Sequence, residues 1–263
     1  MNLKVIAYAR NGHTDKFGIP RQSRDESPIV TRIVFEPDYS VAEALRGIEG
    51  YSHLWLIWGF SEATRSRDRV ATAEEAAESG NDWSPTVRPP RLGGNRRMGV
   101  FATRSPFRPN PIGLSSVRLI EVRRTDVRCT KDVQGGEGTK DFQVELLVSG
   151  ADLMDGTPVY DIKPYLSFSD CHPEAVNGFA EETKDYSLKV EFQNSIKPGK
   201  NPDLTSTSPA PEILRDIEYI LSQDPRPAYQ EDPTREYKMD YAGFRVAFTV
   251  TDGSVIIKKI EEI

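Results

Sequence analysis

Three prolines in six positions, Pro106, Pro109 and Pro111, limit what this chain can fold into more than any other feature. Each fixes its φ near about −65° and removes a backbone donor. Each also drives the residue before it, Ser105, Arg108 or Asn110, towards extended conformations. No helix can run through such a stretch. Residues 98–102 before it and 112–119 after it are apolar enough to read as strands, so the prediction is a stiff loop between two strands. Gly113 then allows a bend or a close approach. The loop's polar groups, Arg104, Ser105, Arg108 and Asn110, suit anions or polar ligand edges. A loop that is rigid beforehand orders them at little entropic cost on binding.

The rest of the pattern is also strand-rich. Residues 3–9 (LKVIAYA) and 29–35 read as strands, and 53–60 (HLWLIWGF), the most apolar run, as a buried central strand beginning at a structural His53. Residues 114–127 and 142–148 read as a long hairpin with a polar tip at 131–140. That tip is Gly-rich but lacks the GxGxxG spacing of a phosphate loop. Val41, Ala44, Leu45 and Ile48 recur at helical spacing, predicting one short helix over 39–48 with Ser40 as N-cap. Residues 63–96 form a polar insertion with a helical fragment at 72–78. In the stretch 150–165, the turn Asp155-Gly156-Thr157-Pro158 is expected to bring Asp152, Asp155, Asp161 and Lys163 near one another. After a break near 171–179 come a strand at 188–192, a helix at 211–221 with Ile213, Leu214, Ile217, Ile220 and Leu221 on one face, and strands at 244–250 and 255–260. The expected class is mainly β with a few helices (α+β), as an antiparallel sheet or barrel rather than a doubly wound fold. The expected domains are 1–172 and a small C-terminal α+β domain over 173–263.

Composition narrows the function classes. No apolar run approaches the roughly 18 residues of a membrane span, and the N-terminus lacks a signal-peptide layout. Two distant cysteines, Cys129 and Cys171, fit a cytoplasmic protein with reduced thiols. Cys171-His172 is too sparse for a metal site, and none is expected. The net charge of −6 argues against a nucleic-acid partner until its distribution is read. Residues 88–128 carry ten arginines, no lysine, and only Glu121 and Asp126 against them. Arginine without lysine favours forked, planar recognition of phosphate or carboxylate.

Five stretches together carry a family resemblance: GIPRQ (18–22), YSHLWLIWGFSE (51–62), GVFATRSPFRPNPIGLSSV (99–117), DLMDGTPVYDIKPYL (152–166) and DPRPAY (224–229). In this order they resemble the TrmO (TsaA-like) family of S-adenosylmethionine-dependent tRNA N6-adenosine methyltransferases. The resemblance implies a small non-Rossmann β-barrel, a cofactor cleft associated with a homodimer, and methylation of N6 of threonylcarbamoyladenosine at position 37, in the tRNA anticodon loop. Matched motif positions imply cofactor contacts from Pro20, Arg21, Gln22, Ser61, Glu62, Arg104, Leu114, Asp152, Leu153, Met154 and Asp155. Ser61 departs from the His that bacterial members often carry there. Asp155, Tyr160 and Asp161 are the candidates for the base that removes the N6 proton. Arg108, Asn110, Lys163, Arg226 and Tyr229 are the candidates for gripping the substrate. Two other readings stay open at this point: a methyltransferase acting on a small molecule or protein, and a non-catalytic RNA-binding barrel.

Overall fold

The computed structural model describes residues 2–60, 83–89, 96–127, 141–193, 209–226 and 232–263. In chain order its first strands are β1 (Ala7–Arg10), β2 (Val30–Phe35), β3 (His53–Gly59), β4 (Thr86–Val87), β5 (Met98–Gly99), β6 (Ile112–Val127), β7 (Asp141–Ser149) and β8 (Pro158–Pro164). Six of them close into a barrel in the order β1-β2-β7-β6-β3-β8, while β4 and β5 pair only with each other. Closure falls on β1, whose Ala7 is in register with Phe35 of β2 and Val159 of β8. By packing, the chain forms two compact units: Met1–Asn11, Gln22–Gly59 and Leu114–Asp170; and Gly12–Arg21, Phe60–Gly113 and Cys171–Ile263. The division expected at residue 172 follows chain order, whereas these units interleave.

Strand alternation builds the barrel core. Ala7, Ala9, Ile33, Leu54, Leu56, Val117, Leu146, Val148 and Val159 all face inward and are at most 1% exposed. Each buried branched aliphatic among them contributes about 1.5–3 kcal/mol. Six strands leave a narrow interior, which the two alanines of β1 accommodate. On β7 the buried Glu145 is held by Arg32 (2.6 Å) and Arg123 (3.5 Å). A carboxylate is tolerated there because it is paired.

The second unit contains a sheet of β9 (Lys189–Phe192), β10 (Tyr237–Tyr241), β11 (Phe244–Thr251) and β12 (Ser254–Glu262), in the order β10-β11-β12-β9. The helix Pro211–Ser222 starts with proline at its first position and buries Ile217, Ile220 and Leu221. Residues 12–21 belong to this unit: the Ala242 N–H donates to the Gly12 carbonyl at 2.9 Å, and Phe17 stacks on Phe248 at 6.3 Å. The first residue of GIPRQ must be glycine. Gly18 has φ +101°, and a Cβ there would lie 2.5 Å from Met239 Sδ. His13 is buried edge-on against Tyr241, 5.1 Å between centroids, and burial lowers its pKa to about 4. The Tyr241 hydroxyl donates to Asp216 at 2.8 Å, and burial pushes the Asp216 carboxyl above its ordinary range.

The 114–127/142–148 hairpin and the 211–221 helix form as expected, as β6/β7 and Pro211–Ser222. Other expectations are corrected. Residues 39–48 form 3-10 turns, Pro37–Tyr39, Ala42–Leu45 and Ile48–Gly50, not one helix. Ser40 does not cap them; its hydroxyl accepts the Val144 N–H at 2.8 Å. The strand expected over 98–102 stops at Gly99, because the Thr103 N–H and hydroxyl turn back onto the Val100 carbonyl, at 3.1 and 2.8 Å. The first strand begins at Ala7, and β10 was not expected at all. The 72–78 fragment and the 131–140 tip lie outside the described residues.

Candidate functional site

The antiparallel order gathers the last residues of β1, β3 and β7 and the first of β2, β6 and β8 at one barrel rim. Residues 150–157 cross this rim and carry the DLMDG motif. Asp152 is fixed from the barrel interior. The Trp58 indole N–H donates to the buried Ser115 hydroxyl at 2.9 Å, and Ser115 in turn hydrogen-bonds Asp152 Oδ1. A serine hydroxyl has one proton; with the indole on its oxygen, that proton goes to the carboxylate. Asn11 fixes the rest of the motif. Its side-chain amide donates to the Leu153 carbonyl (2.9 Å) and the Thr31 hydroxyl (3.1 Å), and its backbone N–H donates to Asp155 Oδ1 (3.1 Å). Arg10 pairs with the other Asp155 oxygen at 3.4 Å. Leu153 is fully buried beneath the motif, and Met154 is half-buried.

Tyr160 is aimed by a bulge. Ile57 pairs with Asp161 and Trp58 with Val159, so Tyr160 is the extra residue on β8. Its ring lies against Gly59 so closely that a Cβ there would meet the hydroxyl at 2.3 Å. Asp161 belongs elsewhere. The β1–β8 register runs through Ala7↔Val159, and Thr157 and Gly156 bond to Ala9. Asp155 is therefore held at the end of β1 by Arg10 and Asn11, whereas Asp161, on β8 two residues past Val159, lies beyond the level of Ala7, away from that end. Asp161 pairs with Lys163 at 2.9 Å and accepts the N–H of Ile162. It lines an apolar cavity of about 450 Å³ with Ile6, Phe35, Tyr39 and Leu45. The four polar residues expected together thus form separate groups, with Asp152 and Asp155 at the rim and the Asp161–Lys163 pair away from it. Leu114 points out of the barrel and is 54% exposed, on the face opposite to Ser115. Gln22 is exposed.

In the second unit, Pro20 is buried and Arg21 Nη2 donates to the Arg226 carbonyl at 2.8 Å. Arg226 itself is clasped by Asp224, from Nε at 2.8 Å and Nη2 at 3.0 Å, and Asp224 also accepts the Tyr186 hydroxyl at 2.7 Å. This contact with Arg226 holds the Asp224 carboxyl below the usual range despite its burial, which acts the other way. Arg108 braces its own loop, donating to the carbonyls of Val100, Thr103 and Ser105 at 3.2, 2.7 and 3.2 Å. Arg104 and Asn110 are exposed on that loop. Ser61, Glu62 and Tyr229 lie outside the described residues.

Sequence reasoning missed Ser115, Trp58 and Asn11. Ser115 carried a signal: alternation along β6 puts it on the inward face with the buried Gly113 and Val117, while its neighbour Ser116 falls on the other face. A polar residue on a core face has a partner to serve. The rim therefore offers fixed hydrogen-bond acceptors, an aromatic hydroxyl and buried apolar support, the composition of a small-ligand site. Among the described residues no three His, Cys, Asp or Glu side chains are grouped as metal ligands, and no helix is long and apolar enough to cross a membrane.

Comparison with known proteins gives a consistent result. Residues 8–171 match the model of the tRNA-methyltransferase O N-terminal domain and residues 185–263 that of the TrmO C-terminal domain. The chain is 38% identical to a tRNA (adenine(37)-N6)-methyltransferase of Escherichia coli K12, covering 98% of this chain and 97% of that one. It is 37% identical to a Pseudomonas aeruginosa protein whose name includes S-adenosylmethionine-dependent methyltransferase, over 90% of this chain and 87% of that one. It superposes on a crystal structure of TrmO from P. aeruginosa with a TM-score of 0.65 at 27% identity, covering 100% of this chain and 97% of that one. By these matches, spanning both units, the chain belongs to the tRNA-methyltransferase O family.

Proposed function

We propose that this protein transfers a methyl group from S-adenosylmethionine to N6 of threonylcarbamoyladenosine at position 37 of tRNA, using a site at the barrel rim. The observation that carries the reading is the fixing of Asp152 by Trp58 and Ser115. A carboxylate held in one orientation suits the amine or ribose hydroxyls of S-adenosylmethionine, and Leu153 and Met154 give its neighbourhood apolar support. When bound, this cofactor supplies an electrophilic methyl group on a sulfonium. The protein's task is then to position the acceptor and take one proton. The N6–H of the modified base is flanked by a carbonyl, so a weak base suffices.

Of the three candidate bases, Tyr160 is the one we retain. Asp155 is engaged by Arg10 and Asn11, and Asp161 by Lys163. Arg21, Gln22, Arg104, Leu114 and the rim motif remain the proposed cofactor residues, with Pro20, Ser61 and Glu62 from the matched motifs. Asn110 is the exposed group of the proline loop that we assign to the anticodon loop, alongside Lys163 and Tyr229. Arg108 supports them by holding loop carbonyls in place, and Arg226, fixed by Asp224, presents its own carbonyl to Arg21. A cytoplasmic homodimer completes the reading.

Calorimetric titration with S-adenosylmethionine tests the site. Micromolar binding, weakened by Asp152→Asn, is expected, together with methyl transfer to threonylcarbamoylated tRNA measured by nucleoside mass spectrometry. A folded protein that binds no S-adenosylmethionine would overturn the proposal.

A further inference from the structure

We infer that the β4–β5 ladder and the turn after it form a docking surface for single-stranded RNA, in which Phe101 and Trp83 stack an unpaired base and Arg88 and Arg97 hold phosphates. The inference rests on the tRNA reading above and names where that partner is gripped.

Residues 83–120 contain seven arginines and no acidic residue, in a chain of net charge −6. Within this stretch Phe101 is 74% exposed. An aromatic ring so exposed lacks most of its burial, yet its geometry is fixed. Trp83 backs it at 5.6 Å between centroids, the planes tilted by 35°. The Val100 N–H donates to the Pro85 carbonyl at 2.9 Å, and Arg108 ties down the Val100 and Thr103 carbonyls on either side of the ring. The platform is therefore ordered before anything lands on it.

The charges fit a polyanion. Thr86 pairs with Gly99 and Val87 with Met98, and continuing that register sets Arg88 level with Arg97. Like charges facing each other across two strands repel, and among the described residues no carboxylate pairs with either. Arg97 is steadied by donating to the Thr86 hydroxyl at 2.9 Å. Arg96, next in sequence, differs in having Glu182 at 3.7 Å. A phosphate beside Arg88 and Arg97 relieves their repulsion. An aromatic platform next to uncompensated arginines is how unpaired bases are held, by stacking and backbone contact together. A continuous duplex offers the phosphates but no exposed base face.

The test is fluorescence anisotropy with a labelled anticodon stem–loop RNA and a fully paired duplex of the same length. Phe101→Ala should weaken stem–loop binding by about 5- to 150-fold, the range for one stacked base, while Phe101→Trp restores it. Arg88→Gln with Arg97→Gln should lower the slope of log affinity against log salt by about 1.4, two single-strand phosphate contacts. Thermal melts verify that the variants fold, which the exposure of Phe101 favours. Unchanged stem–loop affinity for Phe101→Ala, or equal affinity for the duplex, overturns the inference. So does wild-type self-association that Phe101→Ala abolishes without affecting RNA binding, which would assign the patch to a second copy. A parallel titration with S-adenosylmethionine separates the two readings. Cofactor binding and methyl transfer that persist with no Phe101 effect sink the docking surface alone, whereas RNA binding without cofactor binding sinks the enzyme reading alone.

Discussion

At the barrel rim each buried donor meets a named acceptor: Trp58 meets Ser115, Ser115 meets Asp152, and Asn11 meets Leu153 and Thr31. The sheet unit handles a buried titratable group differently. His13 is kept neutral by burial against Tyr241, and the adjoining carboxyl, Asp216, is pushed towards its protonated form by the same means. The rim therefore depends on geometry and the sheet unit on protonation. Loss of one hydroxyl should harm the first, and a change of pH the second.

The largest expected effect follows from His13. Its pKa is 6.5 when exposed and about 4 when folded, so between those values the unfolded chain binds a proton that the folded chain does not. Stability from the neutral ring is complete above pH 6.5 and is lost as pH falls through about 4, a total of about 3 kcal/mol. Asp216 offsets part of this, since its raised pKa makes the folded form take up a proton as the pH falls. Urea unfolding at a series of pH values should therefore show a steep acid slope that flattens in His13→Phe. An unaltered slope in that variant would remove His13 from the account.

Next in size is Ser115→Ala, which leaves the Trp58 N–H buried without an acceptor and should cost about 1–3 kcal/mol. It should also weaken S-adenosylmethionine binding by about tenfold, the effect of one hydrogen bond near 1.4 kcal/mol. Trp58→Phe in the same chain should recover part of the stability, because neither partner is then orphaned, but none of the affinity. Full recovery of affinity would mean that Asp152 does not need its fixed orientation.

What sequence reading could and could not reach follows the same division. The hairpin of β6 and β7 and the helix Pro211–Ser222 were legible because period two and period 3.6 are each written over many residues. The 3-10 turns at 37–50 were not, since Val41, Ala44, Leu45 and Ile48 satisfy helical spacing while Ser40 serves Val144 on another strand. The rim motif was recognisable as a stretch, yet its spacing wrongly suggested that Asp161 and Lys163 join Asp152. The Tyr160 bulge is a property of pairing with β3, and nothing local announces it. Arg108 read as a ligand-gripping residue because its guanidinium suits anions. The proline loop leaves backbone carbonyls without strand partners, and Arg108 serves those instead.

Two glycines sharpen the contrast between packed rim and open ladder. At Gly59 an added methyl would meet the Tyr160 hydroxyl at 2.3 Å and its ring at 2.8 Å. Gly59→Ala should therefore cost about 1–3 kcal/mol of overpacking. Tyr160→Phe should not rescue it, because the ring remains, whereas Tyr160→Ala should restore stability without restoring methyl transfer.

Gly99→Ala, at the end of β5, is expected to have the smallest effect and the opposite sign. The backbone there is extended, φ −58° and ψ 137°, which alanine adopts without strain, and nothing lies within 4 Å of the added methyl. With no clash in the folded state, the reduced freedom of the unfolded chain decides the sign, a gain of about 0.4–1 kcal/mol. Urea unfolding of the two alanine variants in parallel measures the difference. A destabilised Gly99→Ala would mean that the ladder beside Phe101 is as tightly packed as the rim, and the contrast between the two regions would fall with it.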